Sequence, residues 1–137
     1  MSEKDIIHSK INIIKNCLMA IEKAQFHEKD PDFKMGLYEL NLQRAIQAAI
    51  DLANVVIAKE GLGLPNSYRQ SFELLSKFQI IPHEISQFMI KMVGFRNISV
   101  HDYQTINTNI VEGIVSHHLS DFEKFYTVIF EHTKNWN

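Results

Sequence analysis

Ile7, Ile11, Ile14, Leu18 and Ile21 recur at alternating spacings of four and three residues, in a stretch without glycine or proline. That rhythm lays one apolar stripe along one side of a helix. A chain that begins this way must bury the stripe against a neighbouring element. β-Branched alternation is nearly absent downstream, so the neighbour is expected to be another helix. The 5 glycines and 3 prolines are scarce and grouped, which predicts long helices joined by short connections.

The first helix is expected from about Ser2, a candidate N-cap, to about His27. Asp30-Pro31-Asp32 breaks the chain. A second long helix follows from about Asp32 to Glu60, with Ile46, Ala49, Ile50, Ala53 and Ile57 on its apolar face. Ala48 and Ala49 are small enough for close helix approach, and Gly61 fits the left-handed position beyond the helix end. After Leu62-Gly63-Leu64-Pro65, either Asn66 or Ser67 caps a short helix that runs to about Lys77. Pro82 fits the first position of a fourth helix ending near Asn97. A last helix is expected from about Asn107 to Lys134, carrying Val111, Val115, His118, Phe122, Phe125 and Ile129 on one side. Five helices with short links describe an all-α, antiparallel up-and-down bundle, in a single domain spanning residues 1–137.

Composition narrows the function. Hydrophobic residues make up 45% of the chain and charged residues 22%, as in ordinary globular proteins. The formal charge of −2 excludes a general nucleic-acid coat, which would be strongly basic. A nuclease with one small cationic cleft remains compatible with it. The polar start Met1-Ser2-Glu3-Lys4-Asp5, the single Cys17 and the lack of a long apolar run lead to the expectation of a cytoplasmic protein without a membrane span. No His-Glu-x-x-His and no cysteine cluster is present, so neither a metal nor another cofactor is expected. His118, Cys17, Tyr38 and Tyr126 read as packing or hydrogen-bonded residues. Arg44 reads as one half of an ion pair, with Asp51 or with the fourth helix.

The chemistry concentrates in Gly94-Phe95-Arg96-Asn97-Ile98-Ser99-Val100-His101-Asp102-Tyr103. Arg holds phosphate oxygens through a planar fork of donors, and His moves protons near neutral pH. On an unbroken helix, residues five apart point about 140° from one another. For Arg96 and His101 to serve one phosphate, either the helix loosens near Ile98-Ser99-Val100 or each residue meets its counterpart from a second subunit. Such a cleft can cleave RNA without a metal. One His accepts the ribose 2′-hydroxyl proton, Arg96 stabilises the charge growing on phosphorus, and a second His protonates the leaving oxygen. Asn97 can donate to phosphate, and Asp102 can orient His101 or stand as a solvated charge. Spacing alone favours the plainer reading, solvated or paired residues at a helix end.

Arg96-Asn97-x-x-x-His101 resembles the Arg-polar-x-x-x-His motif of the HEPN superfamily. The longer Arg96-x4-His101-x-Tyr103 is similar to that of HepT toxins from HepT/MntA modules. Gln43-Arg44-Ala45-Ile46, Leu62-Gly63-Leu64-Pro65-x-Ser67-Tyr68, Phe72-x-Leu74-Leu75 and Met92-Val93-Gly94-Phe95 extend the likeness from about Leu37 to Tyr126. The resemblance implies a homodimeric helical bundle with the motif at its cleft. It implies the toxin of a type II/VII-like toxin–antitoxin module, a metal-independent endoribonuclease with Arg96 and His101 as the active pair and Asn97 in support. It further implies an MntA-like nucleotidyltransferase antitoxin that silences the toxin by transferring AMP to Tyr103. The rival expectation is a non-catalytic adaptor or binding subunit for a nucleotidyltransferase.

Overall fold

A computed structural model describes residues 1–101 and 107–137, and for residues 98–101 the backbone alone. Among the described residues the chain forms six helices: α1 (Glu3–His27), α2 (Pro31–Glu60), α3 (Tyr68–Lys77), α4 (His83–His101), α5 (Thr108–His117) and α6 (Leu119–Thr133). The expected all-α class holds, and no described residue lies in a strand.

Local chemistry sets most boundaries. Ser2 caps α1 through a reciprocal box: its side chain accepts from the Asp5 backbone, and the Asp5 carboxylate accepts from the Ser2 backbone. These bonds from Ser2 hold the Asp5 carboxyl below its usual range. Asp30 caps α2 by accepting from the backbone of Asp32 and Phe33, with Pro31 in the first turn. α2 ends in a Schellman turn, where Leu62 N–H donates to the Ile57 carbonyl at 3.0 Å and Gly61 sits at φ 64°. Ser67, rather than Asn66, caps α3. α4 starts one residue after Pro82, whose carbonyl accepts from Ser86 N–H at 3.1 Å, so Pro82 precedes the first turn.

Two boundaries differ from expectation. α4 extends past Asn97 to His101. The helical preference that β-branched Ile98 and Val100 forfeit is only a few tenths of a kcal/mol each, too little to unwind a packed helix. The expected last helix is instead two helices that meet at His118. A continuous helix would carry the His118 imidazole into the apolar stripe. The junction leaves it half-exposed, with Nδ1 3.0 Å from the buried Asp121 carboxylate.

Every helix contributes to one apolar cluster. The α1 stripe, Ile7 to Ile21, is buried against α2. On α2, Ala45, Ala49 and Ala53 are fully covered, as small residues at a close helix crossing should be. Phe72 of α3 and Phe125 of α6 meet edge to face at 5.5 Å between centroids. Burying one such isoleucine or phenylalanine contributes about 1.5–3 kcal/mol, so the stripe alone outweighs any single cap. Among the described residues, no helix is long and apolar enough to cross a membrane.

The Schellman glycine sets the path of the chain from α2 into α3. Gly61→Ala forces a β-carbon into the left-handed region at a cost of about 1–2 kcal/mol. Urea denaturation is expected to show that loss with an unchanged slope. No loss would mean that φ at residue 61 is not what turns the chain.

Candidate active site

Arg96 lies on the inner half of α4, half-buried. Its Nη2 donates to Gln47 Oε1 at 2.6 Å, reaching across to α2. Gln47 is oriented from its other end, because its Nε2 donates to Asp51 Oδ1 one helical turn on, at 3.0 Å. Asp51 is anchored in turn by Lys10 Nζ of α1 at 2.9 Å. A polar chain therefore runs from α1 through α2 to the guanidinium on α4. On another side, α3 brings the Tyr68 ring under the same group, 5.1 Å from guanidinium carbon to ring centroid.

Both partners of the guanidinium are neutral. Among the described residues no carboxylate pairs with Arg96. Among the described residues its position is fixed without an acid to neutralise its charge. A planar fork held in this way suits a phosphate. Asn97, the next residue, is exposed and lines a groove of about 620 Å³ between the end of α2, the 61–67 connection and the start of α3.

α4 continues as a helix through Ile98, Ser99 and Val100, so the loosened arrangement is not the one the backbone adopts. Arg96 and His101 are thus five residues apart on one continuous helix, about 140° around its axis. The His101 side chain and all of Asp102 and Tyr103 lie outside the described residues.

Of the other singled-out residues, Cys17, Tyr38 and Tyr126 take packing roles, while Arg44 shares a small surface pocket with Gln47 and Arg96. Arg44 is exposed and does not pair with Asp51, whose carboxylate is taken by Lys10 and Gln47. Cys17 is buried, and burial pushes its thiol up against a smaller opposing influence of Arg44, which leaves it a poor nucleophile. Tyr38 and Tyr126 are raised by burial first and by Glu112 and Glu123, respectively, second. Among the described residues, no group of three or more His, Cys, Asp or Glu is gathered around a point where a metal could sit.

Two residues of the site escaped the sequence reading. Gln47 looked like any polar residue on a helix surface, since nothing in the linear chain ties it to a residue 49 positions away. Tyr68 stood inside a quoted stretch but carried no role. The usable signal was the lone arginine of α4 within an apolar run, which needed partners from other helices.

Comparison with known proteins gives the family. The family profile described as Ribonuclease HepT-like matches residues 7–129. The chain is 45% identical to the mRNA nuclease HepT of Shewanella oneidensis, over 91% of this chain and 96% of that protein. It is 29% identical to the tRNA nuclease HepT of Aphanizomenon flos-aquae, over 88% of this chain and 84% of that protein. Among solved structures, it matches the tri-AMPylated Shewanella oneidensis HEPN toxin, solved in complex with an MNT antitoxin, with a TM-score of 0.85 and 43% identity. That match covers 96% of this chain and 99% of the other.

Gln47 is expected to matter to stability as well as to placement. Gln47→Leu removes the acceptor of Arg96 and the donor to Asp51, and hydrogen bonds to charged groups contribute about 1.5–3 kcal/mol each. Chemical denaturation should show a loss of about 3–6 kcal/mol for the two bonds together, less whatever water regains at these partly exposed partners. A neutral substitution would mean that solvent replaces both bonds.

Proposed function

We propose that this chain, which belongs to the HepT-like ribonuclease family, is the toxin half of a type II/VII-like toxin–antitoxin module and cleaves RNA without a metal. The observation that carries the catalytic part is the Arg96 guanidinium, fixed by Gln47 and Tyr68 and paired with no acid among the described residues. The kinship with nucleases that act on mRNA and on tRNA supports RNA as the substrate. The single domain works in the cytoplasm as a homodimer.

Because α4 is continuous, one phosphate is served by two copies of the motif. The dimer brings two Arg96 and two His101 to its seam. His101 of one copy, neutral, takes the proton of a ribose 2′-hydroxyl. The 2′-oxygen attacks phosphorus, and the extra negative charge spreads over the non-bridging oxygens. Arg96 faces those oxygens with donors that need no reorganisation during the reaction. The second His101, protonated, gives its proton to the departing 5′-oxygen. The products are a 2′,3′-cyclic phosphate and a 5′-hydroxyl, and the two histidines exchange protonation states. Asn97 donates to a phosphate oxygen, and Asp102 orients the ring of His101.

Silencing falls to an MntA-like nucleotidyltransferase antitoxin. The Tyr103 hydroxyl attacks the α-phosphorus of ATP, forms a phosphodiester to AMP and releases pyrophosphate. The added negative charge then occupies the cationic cleft that substrate phosphate would use. The tri-AMPylated state of the similar toxin, in complex with its antitoxin, supports this reading.

Purified, unmodified protein is expected to cleave total cellular RNA in the presence of EDTA. Arg96→Ala and His101→Ala should each lose about 100-fold or more of that rate, His101→Ala with its melting temperature retained and Arg96→Ala still folded, though less stable by the loss of its Gln47 bond. Full activity in either variant would refute the assignment. No cleavage by the unmodified protein would favour the adaptor reading.

Tyr103→Phe is expected to cleave RNA and inhibit growth while escaping the antitoxin. Intact mass after coexpression checks it. AMP still added to the Phe variant would place the acceptor elsewhere.

A further inference from the structure

The groove beside Arg96 has no assigned occupant. Three features define its chemistry. First, it adjoins the phosphate-holding group: Tyr68 lines it and touches Arg96, and Asn97 lies on its rim. Second, its lining is mixed. Ile57, Leu64 and Pro65 supply apolar surface, and Leu64 is 97% exposed. Asn54 and Ser71 add amide and hydroxyl groups. Third, no Asp, Glu, Lys or Arg is among the described residues that line it.

The amide of Asn54 is oriented. Ser71 Oγ donates to Asn54 Oδ1 at 2.7 Å, and Ser71 is itself only 1% exposed. The Asn54 Nδ2 amino group donates to no described residue and remains for a ligand. The turn at Gly61 lays the 61–67 connection beside the last turn of α2, where it lines the groove. At about 620 Å³ the space lies within the roughly 300–1,000 Å³ range of small-molecule sites.

We propose that this groove is a nucleobase subsite, taking the unpaired base next to the phosphate that Arg96 holds. Tyr68 is its stacking platform, and Asn54 is the residue that addresses the base edge. The inference rests on the ribonuclease reading above. A neutral, half-apolar slot with one oriented amide suits a flat ring whose edge carries acceptors. It does not suit a second phosphate, which would call for cations. Unpaired bases in RNA are recognised in this way, by stacking on aromatic rings and by hydrogen bonds to their edges. The stack also makes Arg96 and Tyr68 one unit: the guanidinium that meets the phosphate lies against the ring that meets the base.

The test uses His101→Ala as the parent, so that bound RNA stays whole. A single-stranded oligoribonucleotide containing 4-thiouridine is irradiated with this protein, and the adduct is mapped by mass spectrometry. The crosslink is expected on the segment from Leu64 to Arg69. Tyr68→Leu should weaken binding of the unmodified oligonucleotide by about 5- to 150-fold, and Tyr68→Phe, which keeps the ring, should restore it. Asn54→Asp keeps the acceptor for Ser71 and adds one negative charge; it is expected to weaken binding about tenfold without lowering the melting temperature. Crosslinks confined elsewhere, with unchanged affinity in Tyr68→Leu and Asn54→Asp, would overturn the subsite. If unmodified wild-type protein cleaves RNA at the same time, the ribonuclease reading survives that result. If wild-type protein cleaves nothing, the ribonuclease reading falls, and the crosslink and the two affinities still decide whether the groove holds a base.

Discussion

α2 is the element on which everything else rests. It packs against each of the other five described helices. The reason lies in its composition. Small alanines at 45, 48, 49 and 53 alternate with Leu42, Ile46, Ile50 and Ile57, so α2 presents close-approach surface and bulky apolar surface in turn. A helix of 30 residues with apolar positions around most of its circumference cannot stand in water alone. It has to be enclosed, and α1, with one clean stripe, closes the longest side. The remaining helices dock on what is left.

That enclosure is also what positions the chemistry. Gln47 is half-buried on α2. From there it reaches an arginine that arrives from a different helix and an aspartate whose other oxygen is tied to α1. Distant parts of the chain are thereby joined through one amide. The partial burial matters to the electrostatics, because charge interactions weaken less with distance where water is excluded. A guanidinium at this depth attracts an anion more strongly than one on an open surface.

What the sequence made legible was local. The isoleucine stripe of α1, the cap at Ser2, the break at Asp30-Pro31-Asp32, the start of α3 at Asn66 or Ser67 and the left-handed Gly61 each depend on residues within a few positions of one another, and all are present. The misreadings share the opposite character. The junction at His118 depends on the cost of burying an imidazole in a specific stripe and on the position of Asp121. The pairing of Asp51 went to Lys10 of a neighbouring helix instead of Arg44 on its own. The grip on Arg96 comes from Gln47 and Tyr68, two helices that the linear order separates from it. Motif spacing named Arg96 but was silent on its partners, since spacing describes one helix and the site is assembled from several.

The residue that meets the guanidinium from α2 is an amide, and a carboxylate of the same length would bond it more tightly. Glutamate at 47 would set two acids one helical turn apart with Asp51 and would cancel the charge of Arg96. Among the described residues the fold thus sets no acid against this cation, and at the α2 contact it forgoes the stability a closed ion pair would give in a partly dry place. Proteins commonly trade stability for reactivity where they act. Here the trade comes down to one functional group, an NH₂ where an oxygen would fit. It keeps the resting molecule open to an anion from outside.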